Sequence, residues 1–196
     1  MSKNNETVAT NQATTNETYT KTPTRVFSTK QLCVSAILIA IAYVISSFIP
    51  ALSLPQGGSL TFCSMLFISI IGYLYGAKVG LLSALAYGLL QLIIKPSIYH
   101  PIQLLLDYPL AFTCLGISGF FTNKKHGLAI GYSIGVIGRY LCHVISGIVF
   151  FGEYAQGNVI LYSLVYNLTY ILPEMILSLI LIPLLSPSIK RAKSKL

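Results

Sequence analysis

Asp107 stands in the run His100-Pro101-Ile102-Gln103-Leu104-Leu105-Leu106-Asp107-Tyr108-Pro109-Leu110-Ala111-Phe112. Three leucines precede this acid, and mostly apolar or small residues follow the Tyr-Pro pair. If the stretch spans a membrane, an ionised carboxylate here is costly and must face a partner, a cavity or a cationic ligand. The other polar residues inside apolar runs are few: Gln103 and Tyr108 beside it, Arg139 and His143 later, then Tyr162, Tyr166, Asn167, Tyr170 and Glu174. At ~1.5 Å of rise per helical residue, Asp107, His143, Tyr162 and Asn167 fall at one level, about 5 to 12 Å below the ends of their segments. By the same measure Arg139 and Glu174 lie deeper, at about 18 and 22 Å.

Those depths predict two separate jobs. Arg139 and Glu174, opposite in charge and matched in depth, are expected to form a structural ion pair, because either alone is expensive in a membrane. The shallower four carry one net negative charge. They are either a self-satisfied interhelical hydrogen-bond cluster, with Arg139 as counterion to Asp107, or a pocket for a small cation with hydrogen-bonding groups. Tyr87, Tyr99, Tyr108, Phe150, Phe151 and Tyr154 crowd the same ends. Their rings form either an interfacial belt or a surface that stacks on a planar ligand and faces its charge.

The elements that must position these residues are membrane helices. The 196 residues are 54% hydrophobic and only 9% charged, against roughly 25% charged in a water-soluble domain. Apolar segments cover about 32–49, 61–75, 79–94, 101–121, 128–151 and 159–185. Mostly they are too long and too continuous for strands, so the fold class is an all-α membrane protein, a bundle of six transmembrane helices. The net charge of +8 sits in short clusters between segments, which is a topology signal and not a nucleic-acid face. Lys21, Arg25, Lys30, Lys78, Lys124, Lys125 and the run from Lys190 to Lys195 fall in alternate connections. Both termini are therefore expected in the cytoplasm.

Residues 1–30 are rich in Asn, Thr, Ser and Lys and read as a flexible cytoplasmic tail, since such a composition buries little surface. Residues 31–189 form the membrane domain, and 190–196 a basic cytoplasmic tail. The uncharged connection 51–60 contains Gly57 and Gly58 and is either a connector on the headgroups or a lid with a glycine hinge. Ala36 and Ala40 form an A-x-x-x-A pair, and Gly131, Gly135 and Gly138 mark the fifth segment; such spacing lets helices approach closely. The four cysteines, Cys33, Cys63, Cys114 and Cys142, lie singly in apolar runs and read as small buried hydrophobes. No Walker loop, H-E-x-x-H, G-x-S-x-G or Cys/His cluster is present, so neither ATP hydrolysis by this chain nor an enzyme or resident cofactor is expected.

Three blocks carry a family resemblance: His100 to Phe112; Arg139-Tyr140-x-x-His143-x-x-x-Gly147; and Tyr162-Ser163-Leu164-x-Tyr166-Asn167. Together they resemble the thiamine-specific substrate-binding (S) component of energy-coupling factor (ECF) vitamin transporters, over about residues 32–186. The resemblance implies a multi-pass protein of the bacterial cell membrane that captures thiamine from outside. Its implied partners are a transmembrane coupling subunit and two cytoplasmic ATPase subunits, besides membrane lipid. Asp107 and Tyr108 match the family's acid and its neighbour, His143 and Gly147 its histidine and nearby glycine, and Tyr162 and Asn167 its last-helix pair. Arg139 belongs to the second block. Ala36 and Ala40 match the docking surface for the coupling subunit, and loop 51–60 the gating loop. The chain has no tryptophan, so Phe151, Phe150 or Tyr87 must supply the stacking ring. Whether Asp107 meets the thiazolium or the aminopyrimidine is left open. The alternatives are a stand-alone proton-coupled carrier of an organic cation, with Asp107 or Glu174 titrating, and a purely structural membrane subunit.

Overall fold

The computed structural model describes residues 27–48, 50–55 and 58–195. The expected N-terminal tail lies outside the described residues up to position 26, and so do Gln56 and Gly57 of the expected loop. Among the described residues the six main helices are α1 (Thr29–Phe48), α2 (Ser64–Tyr75), α3 (Ala77–Ile94), α4 (Pro101–Phe121), α5 (Gly127–Phe150) and α6 (Val159–Lys193). Five are long and apolar enough to cross a membrane. The exception, α2, has 12 residues, short of the ~20 that span a bilayer core, and lies almost wholly inside the bundle, with Met65, Leu66, Ile68 and Ile71 buried. Ile93, Ile137, Val149, Leu161, Ile180 and Leu184 are exposed on the outside. So apolar a surface suits hydrocarbon and not water.

Between α1 and α2 the chain forms an antiparallel hairpin. Strand β1 (Pro50–Ser53) pairs with β2 (Ser59–Thr61), Ser53 opposite Ser59 and Pro50 opposite Thr61. Leu54 N donates to Gly58 O at 2.7 Å. Over its described residues the connection, which the sequence left as either a connector or a lid, is thus a paired ribbon, because its backbone groups bond each other where no helix supplies partners.

Helix α4 changes geometry along its length, and the cause is local. Pro101 opens it at a position that needs no N–H, and His100 caps it, its Nδ1 accepting from Ile102 N at 3.2 Å. Pro109 lies inside the helix and removes one donor. The chain accommodates it with a π-helical turn over Leu106–Leu110, the widened form that tolerates an interrupted ladder. That turn carries Asp107 and Tyr108. Beyond it, Cys114–Phe121 tightens to a 3-10 helix. There a Cβ on Gly116 would lie 2.6 Å from Gly80 C, so α3 and α4 touch backbone to backbone. Helix α5 does the same with Gly131, whose Cβ would come within 2.6 Å of Ser118 Cα.

Basic residues gather at the opposite end from the hairpin. Lys30 Nζ donates to Lys195 O at 2.8 Å, joining the described termini. Lys193 reaches Thr122 O and lies 4.6 Å from the Tyr73 ring centre.

Candidate functional site

A cavity of ≈ 160 Å³ opens at the hairpin end. Its walls come from α1, β2, α2, α3, α4, α5 and α6, and nine of the residues named from sequence line it: Tyr87, Asp107, Tyr108, Arg139, His143, Gly147, Phe151, Tyr162 and Asn167. Ala36 and Ala40 are elsewhere, exposed on the outer face of α1, whose buried residues are Ser35 and Ala42.

Asp107 is the hub. Its Oδ2 accepts from Gln103 Nε2 at 2.6 Å and from Ser146 Oγ at 2.9 Å, and its Oδ1 lies 3.0 Å from His143 Nδ1. Arg139 Nε donates to His143 Nε2 at 3.2 Å. A guanidinium nitrogen can only donate, so Nε2 is the accepting nitrogen of the imidazole. The ring hydrogen therefore sits on Nδ1 and points at Asp107. The carboxylate is held by three neutral donors, a hydroxyl, an amide and an imidazole. The arginine reaches it only through an intervening ring. Both His143 nitrogens are thereby occupied, so the imidazole orients the acid and has no free edge.

The expected ion pair between Arg139 and Glu174 is not formed. Among the described residues the one acid–base contact within salt-bridge distance is His143 with Asp107. Arg139 instead lies 4.0 Å from the centre of the Phe112 ring, a favourable seat for a guanidinium. Glu174, 3% exposed, accepts from Thr61 Oγ1 at 2.6 Å, Met65 N at 3.1 Å, Ser64 Oγ at 3.2 Å and Thr61 N at 3.3 Å. These donors come from the end of β2 and the first turn of α2. Its N-cap residue, Cys63, bonds none of the free N–H groups with its side chain, so a carboxylate from α6 fills that place. Equal depth had suggested a pair; direction around the helix axis decides otherwise.

Several lining residues hold the walls. Tyr108 Oη accepts from Ser97 N at 2.7 Å and donates to Lys95 O at 2.9 Å, fixing the connection between α3 and α4. Asn167 Nδ2 donates to Ser163 O at 2.9 Å and His143 O at 3.3 Å, while its Oδ1 accepts from Tyr170 Oη at 2.6 Å. A side chain at Gly147 would collide with Ser163 Oγ, so α5 and α6 meet closely there. Tyr87 is fully buried and edge-on to Phe112 at 5.1 Å. Phe151 packs edge-on to Tyr99 at 4.7 Å, and Phe150 stacks on His100 at 5.0 Å, outside the cavity lining. Tyr162 stacks on Tyr166, centroids 5.9 Å apart.

Sequence reasoning missed Ser146 and gave Gln103 no role. Both are 1% exposed and both bond Asp107. The signal was present, since Gln103 lies four residues before Asp107 and Ser146 three after His143, each on the same helix face. Among the described residues no group of His, Cys, Asp and Glu could hold a metal ion. The arrangement offers an anion, polar edges and aromatic rings, the equipment for holding a small planar molecule.

Fold and cavity together are those of a multi-pass, all-α membrane protein with a pocket of small-molecule size at one end. The chain belongs to the family described as thiamine transporter protein (Thia_YuaJ), whose model matches residues 32–194. It is 41% identical to the thiamine transporter ThiT of Bacillus subtilis, in a match covering 59% of this chain and 68% of that protein. It is 37% identical to the thiamine transporter ThiT of Lacticaseibacillus paracasei, over 40% of this chain and 49% of the relative. A solved structure of ThiT from Listeria monocytogenes superposes with a TM-score of 0.69 at 29% identity, covering 82% of this chain and 96% of that one.

Proposed function

We propose that this chain captures thiamine outside the cell as the S component of an energy-coupling factor transporter, and delivers it together with a coupling subunit and two ATPases. Family membership supports the vitamin as ligand. The observation that carries the site is Asp107, an intramembrane carboxylate at the cavity wall that no arginine or lysine among the described residues touches directly. A thiazolium cation supplies the missing opposite charge in a medium where that charge counts for more than in water. The aminopyrimidine then meets the Tyr162 hydroxyl and the Arg139 guanidinium nitrogens that have no partner among the described residues, with the Phe151 and Tyr162 rings as its flat walls. Gln103, Ser146 and His143 keep the acid aimed. The basic end, with both termini, faces the cytoplasm, and Ala36 and Ala40 on the free side of α1 meet the coupling subunit.

Titrating purified protein with thiamine and following tyrosine fluorescence tests this reading, with saturable binding expected for the wild type. Reconstituted alone in liposomes, the protein is expected to bind without transporting. Uptake driven by a pH gradient in those liposomes would replace the proposal with the proton-coupled carrier, and absence of any binding would leave a structural subunit.

A further inference from the structure

The end of the bundle opposite the cavity carries one sign of charge. Lys30 stands in the first turn of α1 and Lys78 in that of α3. Lys124, Lys125 and His126 form the turn between α4 and α5, and Lys190, Arg191, Lys193 and Lys195 follow one another at the end of α6. The acids among the described residues all stand in the other half. Asp107 lines the cavity, Glu174 meets the start of α2, and Glu153 lies between α5 and α6.

Two of these cations are spent on the protein's own backbone, Lys30 on Lys195 O and Lys193 on Thr122 O. The second contact joins the last turn of α6 to the end of α4. It thereby brings together two clusters remote in sequence, Lys124 with Lys125 and Lys190 with Arg191. All four side chains are exposed. None of the four meets a carboxylate within salt-bridge distance among the described residues. Each cluster also stands beyond a large apolar side chain that the protein leaves uncovered. Phe120, 64% exposed, lies one turn before Lys124. Leu184, 71% exposed, lies two turns before Arg191 on the same stripe of α6.

We propose that this junction of α4 and α6 binds an anionic phospholipid, its phosphate among Lys124, Lys125, Lys190 and Arg191 and its chains along Phe120 and Leu184. Cations gathered without acids repel one another. An anionic headgroup relieves that repulsion, whereas a zwitterionic one adds no net charge. A soluble anion or an acidic protein segment would match the charge but leave the apolar flank unused, and so lipid is the occupant. The site does not depend on what the cavity holds.

The test titrates full-length protein in nonionic detergent with dioleoyl phosphatidylglycerol or dioleoyl phosphatidylcholine and counts bound lipid by native mass spectrometry. The anionic lipid should be held roughly tenfold more tightly or better. Lys124→Gln with Lys125→Gln, and Lys190→Gln with Arg191→Gln, should each cost about tenfold or more, since one basic side chain at an anionic surface is worth roughly fivefold. Lys124→Arg with Lys125→Arg keeps the charge and should keep the lipid, which separates lost charge from lost fold. Lys95→Gln removes a positive charge at the cavity end and should change retention by less than about twofold. Equal retention of the two lipids overturns the proposal. So do unaltered retention in both glutamine pairs, an equal loss in Lys95→Gln, or a loss in the arginine pair. Displacement of the lipid by inorganic phosphate at equal concentration would overturn it in favour of a soluble anion. Unchanged lipid retention together with weakened assembly with the coupling subunit would assign the surface to an acidic protein partner instead.

Discussion

At the scale of single residues, the chemistry of the cavity comes down to what each polar atom has left to give. Asp107 keeps lone pairs beyond its three partners, whereas His143, Tyr108 and Asn167 have most of theirs committed to protein. Replacing Asp107 by Asn removes the charge and keeps the shape. Titration calorimetry should show thiamine affinity reduced roughly ten- to hundredfold, the worth of a hydrogen bond to an ionised group. Affinity equal to wild type would remove the carboxylate from the mechanism. Gly147 is a different case, since it contributes only the absence of a side chain. Gly147→Val drives a branched carbon into Ser163, and overpacking of that kind costs about 1–3 kcal/mol. A lower melting temperature together with weaker binding is the expected pair of results. Identities such as these were legible in the sequence, because an acid, a histidine and an asparagine inside apolar runs are rare enough to stand out. Their partners were not, since spacing along an axis fixes depth but leaves direction free.

At the scale of elements, that missing direction explains the one ion pair that does not exist. Arg139 turns toward His143 and Phe112, and Glu174 toward the start of α2. A double-mutant cycle distinguishes the two arrangements. Arg139→Met and Glu174→Gln should be additive in unfolding free energy within about 0.5 kcal/mol, as for groups without a shared bond; a coupling well above that would restore the pair. Glu174→Gln alone should lower stability by about 1–3 kcal/mol, because the two donors on one carboxylate oxygen lose their acceptor. The six apolar runs, their approximate ends and the break at Pro50 could all be read from composition. Neither the hairpin nor the π-turn of α4 could. The first depends on backbone pairing across a stretch with no strand pattern. The second depends on Pro109 being absorbed within a helix that it would ordinarily end.

For the whole molecule, the proposed division of labour is between a cavity at one end and the face of α1 that is exposed among the described residues. Leu32, Ile37, Ile41 and Val44 are exposed there with Ala36 and Ala40, and the shallow alanine groove admits another helix closely. Ala36→Leu with Ala40→Leu should leave thiamine binding by the isolated chain within about twofold, since neither residue approaches the cavity and distant sites act independently. Uptake by vesicles that also hold the coupling subunit and both ATPases should fall to background. Uptake at the wild-type rate would move the docking surface elsewhere. Helix α6, finally, has 35 residues, about 52 Å of length at ~1.5 Å per residue, while the hydrocarbon it crosses is only ~30 Å thick. Even steeply inclined, it outruns the oil and stands its last turns, with Lys190, Arg191 and Lys193, in the aqueous layer beyond. The same rod that closes the cavity at one extremity thus carries a cationic stub clear of the lipid at the other.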